Sequence, residues 1–251
     1  MSERAFGTQL DSVSFHRKNM RVVILQPSYL PWLGYFDQMA AADRFVYLDD
    51  VQFTRRDWRN RNKIRTKEGW AWLTVPVLNK GRFDQSLKET RIDNSSQWRR
   101  KHREAIRSNY GRAPFFDKYF PCFEPIYNKE WNFLVDLCYE TISQIKEQLK
   151  IGTPIQSSSE FKAEGSGCGR IFSLCRQLHA THYLSGDAGE KYLSPEEFQK
   201  RGLALEFHDY QHPEYDQVFP GFIPYLSAMD LLFNCGENSL DILRQGENRE
   251  P

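Results

Sequence analysis

The sequence predicts an α/β fold: a mostly parallel, Rossmann-like sheet with flanking helices and a helical middle segment. Three observations predict it. Residues 22–25 (VVIL) form a short apolar run stopped by Pro27 and Pro31, the pattern of a strand buried on both faces. Residues 45–48 (FVYL) repeat that pattern after a stretch with room for one short helix. Beyond residue 180, strand and helix signals alternate again, which is the rhythm of a parallel sheet.

The elements follow in order. Residues 1–20 are polar and mixed, without a period, and are expected to be a poorly ordered extension; Met20 would serve as an alternative start. Residues 21–251 are read as one domain, a size that buries a full core. After the second strand, Trp70, Trp72, Thr74 and Val75 suggest another, ending before Pro76, and residues 87–92 suggest a weaker one. A helical insert is expected over about residues 94–150. Asp93, Asn94 and Ser95 offer N-caps for a helix reaching Tyr110, and Phe133, Leu134, Leu137, Ile142 and Ile145 give a further helix its apolar stripe. Between them residues 115–127 read as aromatic and irregular, interrupted by Pro121 and Pro125. A helix around Ile171 to Leu178 then leads to a strand at residues 181–184. Ser194 caps a helix with Pro195 at its first position, a strand follows at residues 203–207, and an apolar helix through Met229 and Leu232 stops near Gly236.

A net charge of +1 gives no global argument for nucleic acid or membrane. The five cysteines are scattered without a CxxC pair, so neither a disulfide framework nor a zinc site is suggested. There is no apolar leader and no run of spanning length, which leads us to expect a cytoplasmic protein without membrane insertion. Walker, GxGxxG, GxSxG and HExxH patterns are absent, and spacing gives no support for metal ligation.

Ligands of open α/β sheets sit beyond the carboxyl ends of the strands. Here Gln26 and Tyr29 follow the first strand, and Asp49, Asp50 and Gln52 follow the second. Either aspartate would serve as a catalytic base or bind an amine; turn capping and balancing Arg55 and Arg56 are the competing uses. Arg59, Arg61, Lys63 and Arg65 alternate, so on an extended strand they share a face suited to a diphosphate, with Arg56 close by and Asn60, Asn62 and Ile64 facing the other way. Trp58, Trp70 and Trp72 offer stacking surfaces, or ordinary packing. The turn through Ser185 and Gly186, followed by Tyr192, permits close backbone approach to an anion, and tight turns use the same residues. The polar segment holding His212 and Gln217 supplies an acid or base, or a structural loop histidine. Together these placements point to an enzyme.

Residues 26–36 (QPSYLPWLGYF), 45–65 (FVYLDDVQFTRRDWRNRNKIR), 72–77 (WLTVPV), 183–193 (YLSGDAGEKYL), 212–215 (HPEY) and 226–236 (LSAMDLLFNCG) resemble the WbqC-like family, in order and over nearly the whole chain after Met20. The resemblance implies a bacterial protein encoded near genes for O-antigen, lipopolysaccharide and other surface-polysaccharide sugars. It further implies a transferase, with glycyl or other aminoacyl transfer to the amine of a nucleotide-linked amino sugar as the specific expectation. On that reading an activated acyl or aminoacyl donor is the co-substrate, and Asp50 or His212 accepts the amine proton. Two alternatives stand beside it: a non-catalytic nucleotide-sugar-binding scaffold of glycan assembly, and a protein that binds RNA or aminoacyl-tRNA through its arginine arm. The opening unit is also similar in outline to the nucleotide-binding turn of pantothenate-synthetase-like adenylating enzymes. There Trp32, Leu33, Gly34 and Tyr35 replace a His-x-Gly-His pattern, so the likeness speaks for architecture and not for adenylation.

Overall fold

The computed structural model describes residues 19–82 and 84–246; apart from Asn19 and Met20, the expected N-terminal extension lies outside them. Strand β1 (Arg21–Leu25), helix α1 (Leu33–Ala41) and strand β2 (Arg44–Tyr47) open the chain, followed by the hairpin β3 (Arg61–Thr66) and β4 (Gly69–Thr74). Three helices come next: α2 (Trp98–Tyr110), α3 (Phe116–Asn128) and α4 (Leu134–Gln148). The last part holds β5 (Ile155–Ser157), α5 (Cys168–Gln177), β6 (His182–Gly186), α6 (Pro195–Lys200), β7 (Ala204–His208), α7 (Ala228–Cys235) and α8 (Ser239–Arg244).

Five strands pair in parallel in the order β5-β2-β1-β6-β7. The chain winds outward from β1 on one side, then returns to add β6 and β7 on the other. That is the doubly wound Rossmann-like arrangement, with its reversal between β1 and β6. Successive β1 residues divide between two cores, as strand alternation requires. Val23 joins the large core beneath α1 and the helical segment, while Val22 and Ile24 join a smaller one beneath α5 and α6. Ser194 accepts a hydrogen bond from Glu197 N at 3.4 Å and α6 starts on Pro195, as read from sequence; α7 ends where Gly236 turns to φ +58. Among the described residues no helix is long and apolar enough to cross a membrane.

Three local expectations are corrected. Residues 115–127 are not irregular: α3 runs straight through Pro121 and Pro125. Each proline removes one helical hydrogen bond, an interior cost of about 3 kcal/mol. Burial of Phe116, Tyr119, Phe120, Phe123, Ile126 and Tyr127, at about 1.5–3 kcal/mol for each large side chain, outweighs it. Residues 87–92 form turns instead of a strand, joined to neighbours by isolated bridges such as Val77 to Ile92. Helix α2 starts only at Trp98 and no side chain caps it, because Asp93 and Asn94 turn to Ser95 N and to the Trp131 carbonyl.

Candidate functional site

Where the winding reverses, β1 and β6 send their following loops apart and a cleft opens. It is about 390 Å³, lined by Gln26, Ser28, Trp32, Arg59, Gly186 and Tyr225 among others. Its position follows from topology, since two adjacent loops leaving in opposite directions cannot fill the space between them.

The loop after β1 is held in an unusual conformation. Leu30 has φ +49, a left-handed conformation costing about 1–3 kcal/mol in a non-glycine residue. Its surroundings over-determine it. Asn62 Nδ2 donates to the Leu30 carbonyl, Ala228 N donates to the Pro31 carbonyl at 2.8 Å, and Tyr29 N donates to the Arg59 carbonyl at 3.0 Å. Tyr225 on the opposite rim is also left-handed, with φ +59.

Arg59 is the cation of the cleft. Its side chain is 23% exposed, Nη1 donates to Ser28 Oγ at 2.8 Å, and Nε stands 3.5 Å from the Asp57 carboxylate. Burial pulls its pKa below the ordinary guanidinium value, opposed chiefly by Asp57. Nε is buried and has no hydrogen-bond partner among the described residues. A guanidinium only partly satisfied by protein, beside the loop that follows a central strand, suits an incoming phosphate or carboxylate.

Trp32 forms the aromatic wall. A Cβ on Gly34 would lie 2.4 Å from the indole, so glycine at 34 is what lets the ring fold back over the start of α1. The ring meets Tyr225 at 5.5 Å, the edge of Tyr210 at 5.6 Å and His212 at 6.4 Å. His212 stands behind this wall. Its Nδ1 lies 3.0 Å from the Pro213 carbonyl, which only accepts, so Nδ1 carries the hydrogen. Nε2 is then a buried lone pair without a partner among the described residues, and burial lowers the imidazole pKa.

Gln26, Arg59 and Gly186 meet in the cleft, with Asn62 on its wall. Tyr29 points away, bonding His102 Nδ1 at 3.0 Å and the Tyr127 hydroxyl at 2.9 Å in the core. The paired aspartates lie beyond β2, outside the cleft. Asp49 accepts from Ser158 Oγ at 2.9 Å, Ser159 N at 3.0 Å, Ser159 Oγ at 2.7 Å and the Tyr139 hydroxyl at 3.1 Å. Asp50 pairs with Arg170 and accepts from Ser158 Oγ at 2.6 Å. Asp49 borders a wider, more open concavity of about 640 Å³, and another of about 830 Å³ runs along α5; neither lies at the strand reversal.

The guanidinium row divides. Arg59 sits in a 3-10 turn ahead of β3; Arg61 and Lys63 lie on the outer face of the hairpin. Arg65 is buried, donating to the carbonyls of Thr66, Gly69, Pro220 and Gly221 at 2.7–3.1 Å. Arg56 is exposed, and its carbonyl accepts from Arg61. Asn60 donates to the Val75 carbonyl at 2.7 Å, and Gln52 is bridged to Ser86. Ser185 is buried against Gly189, where a Cβ would meet its Oγ at 2.1 Å, and Tyr192 is 61% exposed nearby. Gln217 staples its own loop, donating to the Ile223 carbonyl at 2.9 Å and to Asp230 at 3.1 Å; burial pushes the Asp230 carboxyl up to about 6.

Sequence reading passed over Ser28, Gln38 and the buried pair Asp37–His208, whose Oδ2 and Nε2 are 2.6 Å apart. The signal was present: Asp37 and Gln38 are adjacent polar residues in an otherwise apolar helix, and such groups are buried only with partners.

A sequence model of the WbqC-like protein family matches residues 26–242, a span that includes every cleft residue named above. The chain belongs to the WbqC-like protein family. It is similar to "Uncharacterized protein Rv1507c" of Mycobacterium tuberculosis (strain ATCC 25618 / H37Rv), with 38% identity over 226 residues, covering 89% of this chain and 97% of that one. No solved structure matches the chain. In this WbqC-like protein the matched span takes in both loops that open the cleft, after β1 and after β6.

Proposed function

We propose that this WbqC-like protein is a transferase of surface-polysaccharide biosynthesis that joins an acyl or aminoacyl group to the amine of a nucleotide-linked amino sugar. One observation carries the reading: a partly buried guanidinium, Arg59, faces a cleft walled by Trp32, Trp58 and Tyr225 at the reversal of a doubly wound sheet. Arg59 pairs with phosphate, and the aromatic faces take a sugar ring.

Only the neutral amine attacks an acyl carbon, so its proton must leave with bond formation. Of the two acceptors named from sequence, Asp50 is engaged by Arg170 and Ser158. His212 keeps an unpaired Nε2, and its lowered pKa favours the neutral ring; because it stands behind Trp32 and not on the cleft lining, it would take the proton only once that indole swings aside. The backbone amides that follow Gly186 would hold the oxyanion. Activated donor and amine thus give an amide, and the proton passes to the leaving group.

The test is incubation of the folded protein with amino-sugar nucleotides and a panel of acyl and aminoacyl donors, read by mass spectrometry. Product with one donor, reduced at least about a hundredfold by Arg59→Ala, is expected, on the scale of a lost charged contact. Absence of both product and binding with every pair would overturn the reading.

A further inference from the structure

The outer face of the β3–β4 hairpin carries a cluster that the cleft does not absorb. Register places Lys63 opposite Trp72, and Trp70 stands diagonally on the same face. Lys63 Nζ lies 4.3 Å from the Trp70 ring centre, 5.3 Å from Trp72 and 5.6 Å from Trp58. The Arg61 guanidinium stacks 4.3 Å above Trp72. Neither cation is ion-paired to a carboxylate among the described residues. Trp58 and Trp70 nevertheless remain 40% and 46% exposed. The opposite face of the hairpin, with Asn62, Ile64 and Leu73, is buried.

Two large tryptophans left open to solvent, beside cations without a carboxylate partner, offer apolar ring area and positive charge to one ligand. Acyl chains do not fit it, because they offer nothing to pair with an ammonium and a guanidinium, whereas the indole area still exposed admits a planar ring. A nucleotide does: its base stacks on indole while its phosphates meet the cations. Trp58 also lines the cleft and is followed directly by Arg59, so platform and cleft form one continuous surface with Arg59 at the seam. The cleft alone is near the small end of ligand pockets, which run from about 300 to 1,000 Å³.

We infer that the hairpin face of Trp58, Trp70, Lys63 and Arg61 is a nucleotide-binding platform that holds a base and its phosphates outside the cleft. The inference deepens the reading of the cleft as a sugar site and rests on it for the identity of what lies beyond Arg59. A nucleoside diphosphate and the single-stranded end of an RNA share this chemistry, and the experiment separates them.

Calorimetric titrations would use UDP, ADP, GDP, CDP and dTDP, inorganic pyrophosphate, an amino-sugar 1-phosphate, and a short single-stranded RNA. They would compare the parent chain with Trp70→Ala, Lys63→Met and Arg59→Ala, each checked for an unchanged melting profile. The expectation is that Trp70→Ala and Lys63→Met weaken a nucleoside diphosphate about tenfold or more, the scale of one lost base stack. Both should leave the amino-sugar 1-phosphate within about twofold, because they do not touch the cleft. Diphosphate binding that ignores Trp70 and Lys63 but falls with Arg59→Ala would overturn the platform and leave the cleft reading standing. RNA binding that depends on Trp70, with no response to nucleoside diphosphates, would uphold the platform and overturn the nucleotide sugar as its ligand. Folded protein that binds none of these probes would overturn both.

Discussion

Acid should weaken this fold through His102, and a single substitution isolates the effect. His102 lies on α2 and is only 6% exposed. Its Nδ1 accepts from the Tyr29 hydroxyl at 3.0 Å, and its other nitrogen bonds the Thr74 carbonyl, so the ring is held neutral. Burial lowers its pKa from 6.5 to about 4. Between those values the unfolded chain binds the proton that the folded chain refuses. Stability from this group is therefore present above pH 6.5 and is lost as pH falls towards 4. At about 1.36 kcal/mol per pH unit the full effect is about 3 kcal/mol, of which most is reached by pH 4.5.

His102→Gln keeps an acceptor for Tyr29 and a donor for Thr74 without titrating. Urea unfolding followed by tryptophan fluorescence at pH 7.5 and pH 4.5 would compare the two chains. The parent should lose about 2–3 kcal/mol more than the variant, roughly 1 M in midpoint for a urea slope of about 2–3 kcal/mol/M. Equal losses in both would refute the argument, whatever the variant's stability at pH 7.5. The effect also bears on the cleft, because Tyr29 adjoins Ser28, which receives the hydrogen bond of Arg59.

Two further outcomes are expected. Arg65→Met strips the guanidinium from the carbonyls of Thr66, Gly69, Pro220 and Gly221; with buried acceptors left unpaired at about 1–3 kcal/mol each, differential scanning calorimetry should show a Tm lower by roughly 10 °C. An unchanged Tm would mean that loop 219–221 is not anchored there. Gly34→Ala forces the Trp32 indole off the first turn of α1, since the new methyl would sit 2.4 Å from the ring. Ligand binding should fall about tenfold while the far-ultraviolet circular dichroism stays the same, on the scale of one displaced aromatic contact. Undiminished binding would remove Trp32 from the site.

Much of the architecture was legible because its signals are local. A central parallel strand must be apolar on both faces, and VVIL and FVYL are; Ser194 with Pro195 is a helix start wherever it occurs. Gln26 and Gly186 were legible as strand-end and turn residues, and they share the cleft with Arg59, which was read as part of an extended cation row but sits in a 3-10 turn. Local signals misled at α3, where buried aromatic area overrides two prolines, and at residues 87–92, which found isolated bridges and no neighbouring strand to pair with.

Strand identity and strand ends could be read along the chain because they depend on residues a few positions apart. Which ends meet depends on strand order. Leu25 and Gly186 border one cleft only because β6, far along the chain, adds beside β1 instead of beside β5. In the same way Asp49 and Asp50 are occupied by Ser158, Ser159 and Arg170, more than a hundred residues downstream. No periodicity records such a meeting. It is packing that brings distant polar groups within hydrogen-bonding reach, and burial that obliges them to bond once there.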